Sequence, residues 1–336
     1  MNADIEPVEA VPTNIVTGFL GVGKTSTIKH LLATRPAGER WAVLVNEFGE
    51  IGIDGSLFAG EHTEAQGVFL REVPGGCMCC AAGLPMQVAL NELLSRARPD
   101  RLLIEPTGLG HPREVLDVLS SGFYRDAIEL GTVLALVDAR KLTDSRYTGH
   151  DTFNQQIEIA DVIVGNKRDL YGDGDAARLT AYAAQRGCAP ERIVLAENGA
   201  IDPALLRGAT RAAAGAGHHH HEPDATRPLA GDQPLPPCGY LKADNAGEGF
   251  ESVGWRFSPS FVFDRQRLLT VLTGVVAERL KAVFITESGV FGYNLTPDAL
   301  TEIELDDCME SRIEIIAERT DGAWDEQLMA CISARQ

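Results

Sequence analysis

The sequence predicts an α/β chain in two parts, a mostly parallel sheet with crossover helices followed by a smaller α+β unit. Three observations predict it. Residues 18–25 read Gly-Phe-Leu-Gly-Val-Gly-Lys-Thr, two glycines four residues apart followed by Lys and Thr, placed between a strand-like run and a helix-like one. From residue 12 to about 208, short apolar runs alternate with segments of helical spacing, the rhythm of a parallel sheet. Beyond residue 250, strand-like runs follow one another with short turns such as Ser288-Gly289, the pattern of an antiparallel sheet.

In chain order, residues 14–17 form a short buried strand and 26–32 a helix, so the glycines fall in the turn between them. Residues 41–45, 101–104, 132–137, 161–164 and 192–195 are the further strands, and 84–96 and 176–184 carry apolar residues at helical spacing. The first domain is therefore set at residues 12–210. Residues 211–249 lose all periodicity in Ala, Gly, Pro and Asp around His218, His219, His220 and His221, and read as a linker. The second domain, 250–336, starts with strand material at 252–257 and 262–263. Leu268, Val271, Leu272, Val275, Val276 and Leu280 then recur at helical spacing, strands follow at 281–286, 290–295, 301–305 and 313–317, and 324–334 closes as a helix.

The 336 residues suffice for about two domains, and 44% apolar with 23% charged residues is an ordinary globular balance. A net charge of -18 repels phosphate backbones and anionic lipid, which argues against nucleic acid and membrane as partners and requires any nucleotide to bind through a local site. No apolar run approaches the ~20 residues of a membrane span, and the acidic first ten residues lack the features of a signal peptide. A cytoplasmic protein is expected. Seven cysteines, three of them within four residues, fit thiolate chemistry in a reducing compartment better than a disulfide framework.

The glycine loop is built for a nucleoside triphosphate. Gly18, Gly21 and Gly23 let the backbone wrap phosphates with its N–H groups inward, and the helix N-terminus adds partial positive charge beneath them. Gly18, Gly21, Val22, Gly23, Lys24, Thr25 and Ser26 are the candidate phosphate binders, with Lys24 reaching the β- and γ-phosphates and Thr25 holding Mg2+. Asn166-Lys167-Arg168-Asp169 follows a strand, where a base-reading loop belongs. The Asp169 carboxylate accepts from the N1–H and N2 amine of guanine, donors that adenine does not offer together, which favours GTP over ATP. Asn166, Lys167 and Asp169 are the candidate base contacts; Glu197-Asn198-Gly199 stands where a further base-contacting loop would lie.

Residues 101–105 form a strand ending in Glu105, which is placed to touch the magnesium shell through water; Gly108 follows with an N–H able to sense the γ-phosphate. The next residue is Leu109, where Ras-like enzymes carry the Gln that positions water, so slow intrinsic hydrolysis is expected. In the loop at 46–54, Asp54 or Glu47 orients water or binds magnesium, and the residue types do not choose between them. Lys24, Thr25, Asp54 and Glu105 are the candidate catalytic residues.

Pro74-Gly75-Gly76-Cys77-Met78-Cys79-Cys80 sets three thiols in four residues beside paired glycines that allow a tight turn toward one centre. Metal binding is the natural use, against buried structural cysteines or a redox pair, and thiolates select Zn2+ or Cu+. A tetrahedral zinc needs a fourth ligand besides Cys77, Cys79 and Cys80; Glu50, His111 or water can supply it. The four-histidine run is either a solvated polar loop or a weak metal antenna.

Taken together, the 18–25 loop, residues 46–50, Gly-Gly-Cys-Met-Cys-Cys and Ile104-Glu105-Pro106-Thr107-Gly108 resemble the CobW-type metallochaperone family of P-loop GTPases. Residues 43–54 and 102–112 resemble especially its bacterial zinc-binding GTPases of the YeiR type, and residues 263–284 and 311–316 look like the family's C-terminal domain. Relatives read Arg-x-Lys-Gly in that domain, whereas Arg279-Leu280-Lys281 is followed here by Ala282. The resemblance implies a P-loop NTPase fold, GTP hydrolysis with Mg2+, and zinc handed to a client metalloprotein. A chaperone for cobalt or nickel in cofactor assembly and a metal-buffering switch protein are the rival readings, and a homo-oligomer is left open.

Overall fold

The computed structural model describes residues 10–45, 67–73, 84–109, 112–189, 192–212, 234–247, 250–305, 308 and 310–335. By internal contacts the chain falls into two compact units.

The first unit is a seven-stranded, all-parallel sheet of β1 (Val11–Gly18), β2 (Trp41–Val45), β3 (Val68–Glu72), β4 (Arg101–Glu105), β5 (Ile128–Val137), β6 (Val162–Gly165) and β7 (Ile193–Leu195), in the order β3-β2-β4-β1-β5-β6-β7. Its helices are α1 (Lys24–Ala33), α2 (Leu84–Ala97), α3 (Pro112–Leu119), α4 (Asp151–Glu158) and α5 (Asp175–Gln185). The central strands are apolar on both faces, as a sheet covered by crossover helices requires: every residue of β2 is buried, as are the last six of β5. One core layer packs Leu90, Leu94, Val115 and Leu116 of α2 and α3 against Ala42, Leu44, Leu102 and Ile104 of the sheet. The chain leaves β1 for β2 and β3 on one side, returns to β4 beside β1, and then crosses to β5, β6 and β7. The carboxyl end of β1 therefore lies at the switch point of the topology, where open α/β sheets bind ligands.

The second unit is an antiparallel sheet, β13-β12-β11-β14-β9-β8, built of β8 (Tyr240–Gly247), β9 (Phe250–Phe257), β11 (Arg279–Thr286), β12 (Gly289–Leu295), β13 (Leu300–Leu305) and β14 (Ser311–Ala317). The short β10 (Phe261–Phe263) pairs in parallel with β11 and antiparallel with β15 (Ile332–Arg335). Helices α6 (Arg265–Gly274) and α7 (Ala323–Met329) contribute Leu268, Leu272, Trp324 and Leu328 to a core with Trp255, Phe257, Phe284 and Tyr293.

Several boundaries differ from those expected. The linker 211–249 ends early, because residues 240–247 form β8 and pair with β9 along its whole length. The closing helix stops at Met329, and Ile332 to Arg335 form β15, whose backbone groups are taken up by β10. The helical run of residues 268–280 stops at Gly274; Val276 is 89% exposed, and Leu280 sits instead in β11, buried in the same core. Strand β3 and helices α3 and α4 went unread in the sequence. As an edge strand, β3 changes to Arg71-Glu72 after three apolar residues, too short a run to stand out.

Candidate functional site

Glycine makes the loop after β1 possible. Gly18, Gly21 and Gly23 all have positive φ (148°, 65° and 97°), and a Cβ on Gly18 would lie 2.6 Å from the Leu136 carbonyl oxygen. Gly23 is the N-cap of α1. Lys24, the first residue of that helix, is buried, and its Nζ donates to the Gly18 carbonyl at 2.9 Å and the Phe19 carbonyl at 3.1 Å. The ammonium is thus drawn over the loop it would share with phosphates. Phe19 anchors the loop from below: its ring meets Tyr147, His150 and Phe153 edge-on, at centroid distances of 5.1, 4.9 and 5.8 Å.

Glu105 ends β4, the strand beside β1, and is buried there. Thr25 Oγ1 donates to Glu105 Oε1 at 3.4 Å. A hydroxyl and a carboxylate oxygen this close are the hard donors that Mg2+ takes, so the pair fits that ion. Gly108 packs onto the loop so tightly that a Cβ would meet Leu20 Cδ2 at 3.0 Å and Phe19 C at 3.1 Å.

Asn166 joins the two halves of the site. Buried at the end of β6, it donates from Nδ2 to the Val22 carbonyl at 2.8 Å and accepts on Oδ1 from the Gly199 N–H at 3.0 Å. Gly199, with φ 75°, lies against Ser26 and Thr27 of α1. The Glu197-Asn198-Gly199 turn is thereby joined to the phosphate loop and to Asn166, a stronger link than the sequence alone supports. Lys167 adopts left-handed backbone (φ 61°), and its Nζ lies 3.8 Å from Asp138 Oδ2. Asp169 follows in a 3-10 turn at Arg168–Leu170 with its side chain exposed.

The sequence reading overlooked Asp138. It follows β5, is 2% exposed, and accepts Arg140 Nε on Oδ1 at 2.9 Å and Arg140 Nη2 on Oδ2 at 2.6 Å, with Lys167 Nζ 3.8 Å from that same Oδ2. The signal was available: an acid directly after the sheet's longest apolar strand, the same strand-end placement that singles out Glu105. Tyr171 supports this corner, accepting from the Ala139 N–H at 3.2 Å and donating to the Val137 carbonyl at 3.4 Å. Burial pushes its phenol up to about 12. The folded chain therefore keeps this proton where the unfolded chain has lost it, so the contribution is complete below pH ~10 and declines as pH rises toward 12. Tyr171→Phe is expected to flatten the alkaline fall in stability and to cost about 1 kcal/mol at neutral pH; denaturant melts of both proteins at pH 7 and across the alkaline range check it.

Asp54, Glu50, Cys77, Cys79, Cys80, His111 and the histidine run lie outside the described residues. No helix among the described residues is long and apolar enough to cross a membrane.

The nucleotide-binding domain model described as CobW/HypB/UreG matches residues 12–193. The chain is 39% identical to the zinc chaperone YeiR of Escherichia coli over 329 residues, covering 96% of this chain and 98% of that protein. It is 31% identical to the zinc chaperone CobW of Pseudomonas aeruginosa over 245 residues (63% of this chain, 64% of that protein). It is also 33% identical to the zinc-regulated GTPase metalloprotein activator 1 of Schizosaccharomyces pombe over 170 residues (48% and 40%). With a phosphate loop tied through buried Asn166 to the turn at Gly199, with the family's domain model matched over residues 12–193, and with a relative matched along nearly its whole length, the chain belongs to the CobW/HypB/UreG family.

Proposed function

We propose that this chain is a zinc-binding GTPase that couples its nucleotide state to the binding of zinc and its transfer to a client metalloprotein. The observation that carries the nucleotide half is Asn166, whose one amide ties the phosphate loop at Val22 to the turn at Gly199, with Lys167 and Asp169 following it in the chain. Such a site binds phosphates and reads a base as one unit. The zinc half is supported by the thiols of Cys77, Cys79 and Cys80 and by the relative YeiR, named a zinc chaperone, that the chain spans almost completely.

Lys24 leaves the two loop carbonyls for the β- and γ-phosphates and offsets charge that develops on the transferring phosphoryl group. Thr25 and, through water, Glu105 would hold Mg2+, which would supply positive charge to offset the charge developing on the transferring phosphoryl group. Gly108 presents its N–H to the γ-phosphate from a position pressed on the loop. Asp169 reads guanine, and Lys167, steadied by Asp138, flanks the ring. Asp54 serves water or Mg2+. Zinc is the cargo, bound by Cys77, Cys79 and Cys80 with Glu50. With Leu109 after Gly108, turnover is slow until a partner or the metal completes the site.

The test is phosphate release from GTP and from ATP, together with metal analysis of protein purified without added metal. GTP-selective turnover and one zinc per chain are expected. Asp169→Asn is expected to weaken GTP binding by about tenfold or more and to relax rejection of other purines, as titration with GTP and with its inosine counterpart will show. Equal GTP affinity in both proteins contradicts the base-reading role.

A further inference from the structure

Gln156 belongs to none of the motifs, yet its side chain ends on one of them. It is 1% exposed on α4, and its Nε2 donates to the Gly108 carbonyl at 3.0 Å. Its Oε1 is buried with no hydrogen-bond partner among the described residues. Thr152, one turn earlier on the same helix, is also fully buried, with its Oγ1 unpartnered. On the opposite side Gly108 is pressed against Phe19 and Leu20 of the phosphate loop. The peptide between Gly108 and Leu109 is thus held between that loop and a buried amide.

We propose that Gln156 is a two-way clamp on the Gly108–Leu109 peptide, a positioning residue that gives each nucleotide state its own paired backbone orientation. The proposal rests on the GTPase reading above. An amide carries a donor and an acceptor on one planar group, and a half-turn about its last torsion exchanges them. In the orientation described, the Gly108 carbonyl meets Nε2. If the peptide turns over, the Leu109 N–H takes the carbonyl's place and Oε1 accepts it. Gly108 has no Cβ to resist the turn, and Leu109, 2% exposed, keeps its side chain anchored. In either orientation the backbone group that faces α4 finds its partner on Gln156, so the element has two discrete states that a γ-phosphate at Gly108 can bias. A purely structural glutamine would not need its second polar atom buried and unpaired beside a glycine; a clamp that must serve both orientations does.

Two variants separate the roles. Gln156→Glu keeps the acceptor and loses the donor, so it disfavours the orientation described and favours the turned one. Titration with a non-hydrolysable GTP analogue and with GDP, both with Mg2+, is expected to show the ratio of analogue to GDP affinity shifted about tenfold toward the state that takes the turned orientation. Gln156→Met, similar in volume but without either group, is expected to move that ratio by less than about threefold, because both orientations lose one bond. An unchanged ratio in the folded Glu variant overturns the proposal, as does a Met variant that shifts the ratio as far as Glu does. In isotopically labelled unmutated protein, the Gln156 side-chain amide resonances are expected to move when GDP is exchanged for the analogue; resonances that stay in place overturn the proposal without any variant. A chain that binds no guanine nucleotide refutes the function reading and this clamp with it, whereas a chain that binds both nucleotides and fails these tests refutes the clamp alone.

Discussion

Lys24→Ala is expected to lower GTP turnover by about 10³-fold, the scale of losing a preorganised charge at the transferring phosphoryl group. The fold should survive. Nζ bonds to carbonyls of its own loop, Gly18 and Phe19, while the loop's shape rests on positive-φ glycines and on the aromatic cage around Phe19. Stability is expected to fall by about 1–2 kcal/mol for the two bonds removed. Phosphate-release kinetics beside a thermal melt check both halves. Turnover within about tenfold of the unmutated protein, in a folded variant, contradicts the role given to Lys24.

Asn166→Ala is expected to be the most destabilising single change in the site. It strips the Val22 carbonyl of a donor and the Gly199 N–H of an acceptor, both in the buried heart of the site. Two orphaned groups cost about 2–5 kcal/mol, a fall in Tm of roughly 5–15 °C for a domain of this size. Asn166→Asp keeps an acceptor for Gly199 but faces the Val22 carbonyl with a carboxylate, so it is expected to fall between the two. On the proposed function GTP affinity should drop with stability, since the same amide ties the phosphate loop to the turn at Gly199. An alanine variant that melts within about 2 °C of the unmutated protein shows that this bridge is not what joins them.

Much of the first unit is legible in sequence because a parallel sheet buried on both faces writes itself as continuous apolar runs. Residues 41–45 are read with both ends right, and the strands at 101–104, 161–164 and 192–195 to within one residue at either end. The phosphate loop is legible for a different reason: its glycines answer a local demand for positive φ, and local demands fix residue types at fixed spacing. What escapes reading is tertiary. Gln156 reaches a carbonyl 48 positions away, and Asn166 reaches one 144 positions away. No spacing rule links such pairs. Residues 332–335 read as the tail of a helix because nothing local forbids it, and they become a strand because β10 offers backbone partners there.

The proposed function requires that nucleotide and metal be coupled. Cys77 to Cys80 lie in sequence between residues 46–54 and Glu105–Gly108, the two stretches expected to respond to a γ-phosphate, so a thiol site hung between them should feel the nucleotide. Linkage then requires that GTP change zinc affinity by the same factor as zinc changes GTP affinity, typically about five- to 150-fold. The decisive measurement is a competitive zinc titration with a non-hydrolysable GTP analogue and with GDP, both with Mg2+, repeated on the Cys77→Ser, Cys79→Ser, Cys80→Ser variant. The account predicts one tight zinc per chain whose affinity differs at least about fivefold between the two nucleotides and which is lost in the triple variant. Equal affinities in the two states, or a tight zinc that survives loss of all three thiols, contradict it.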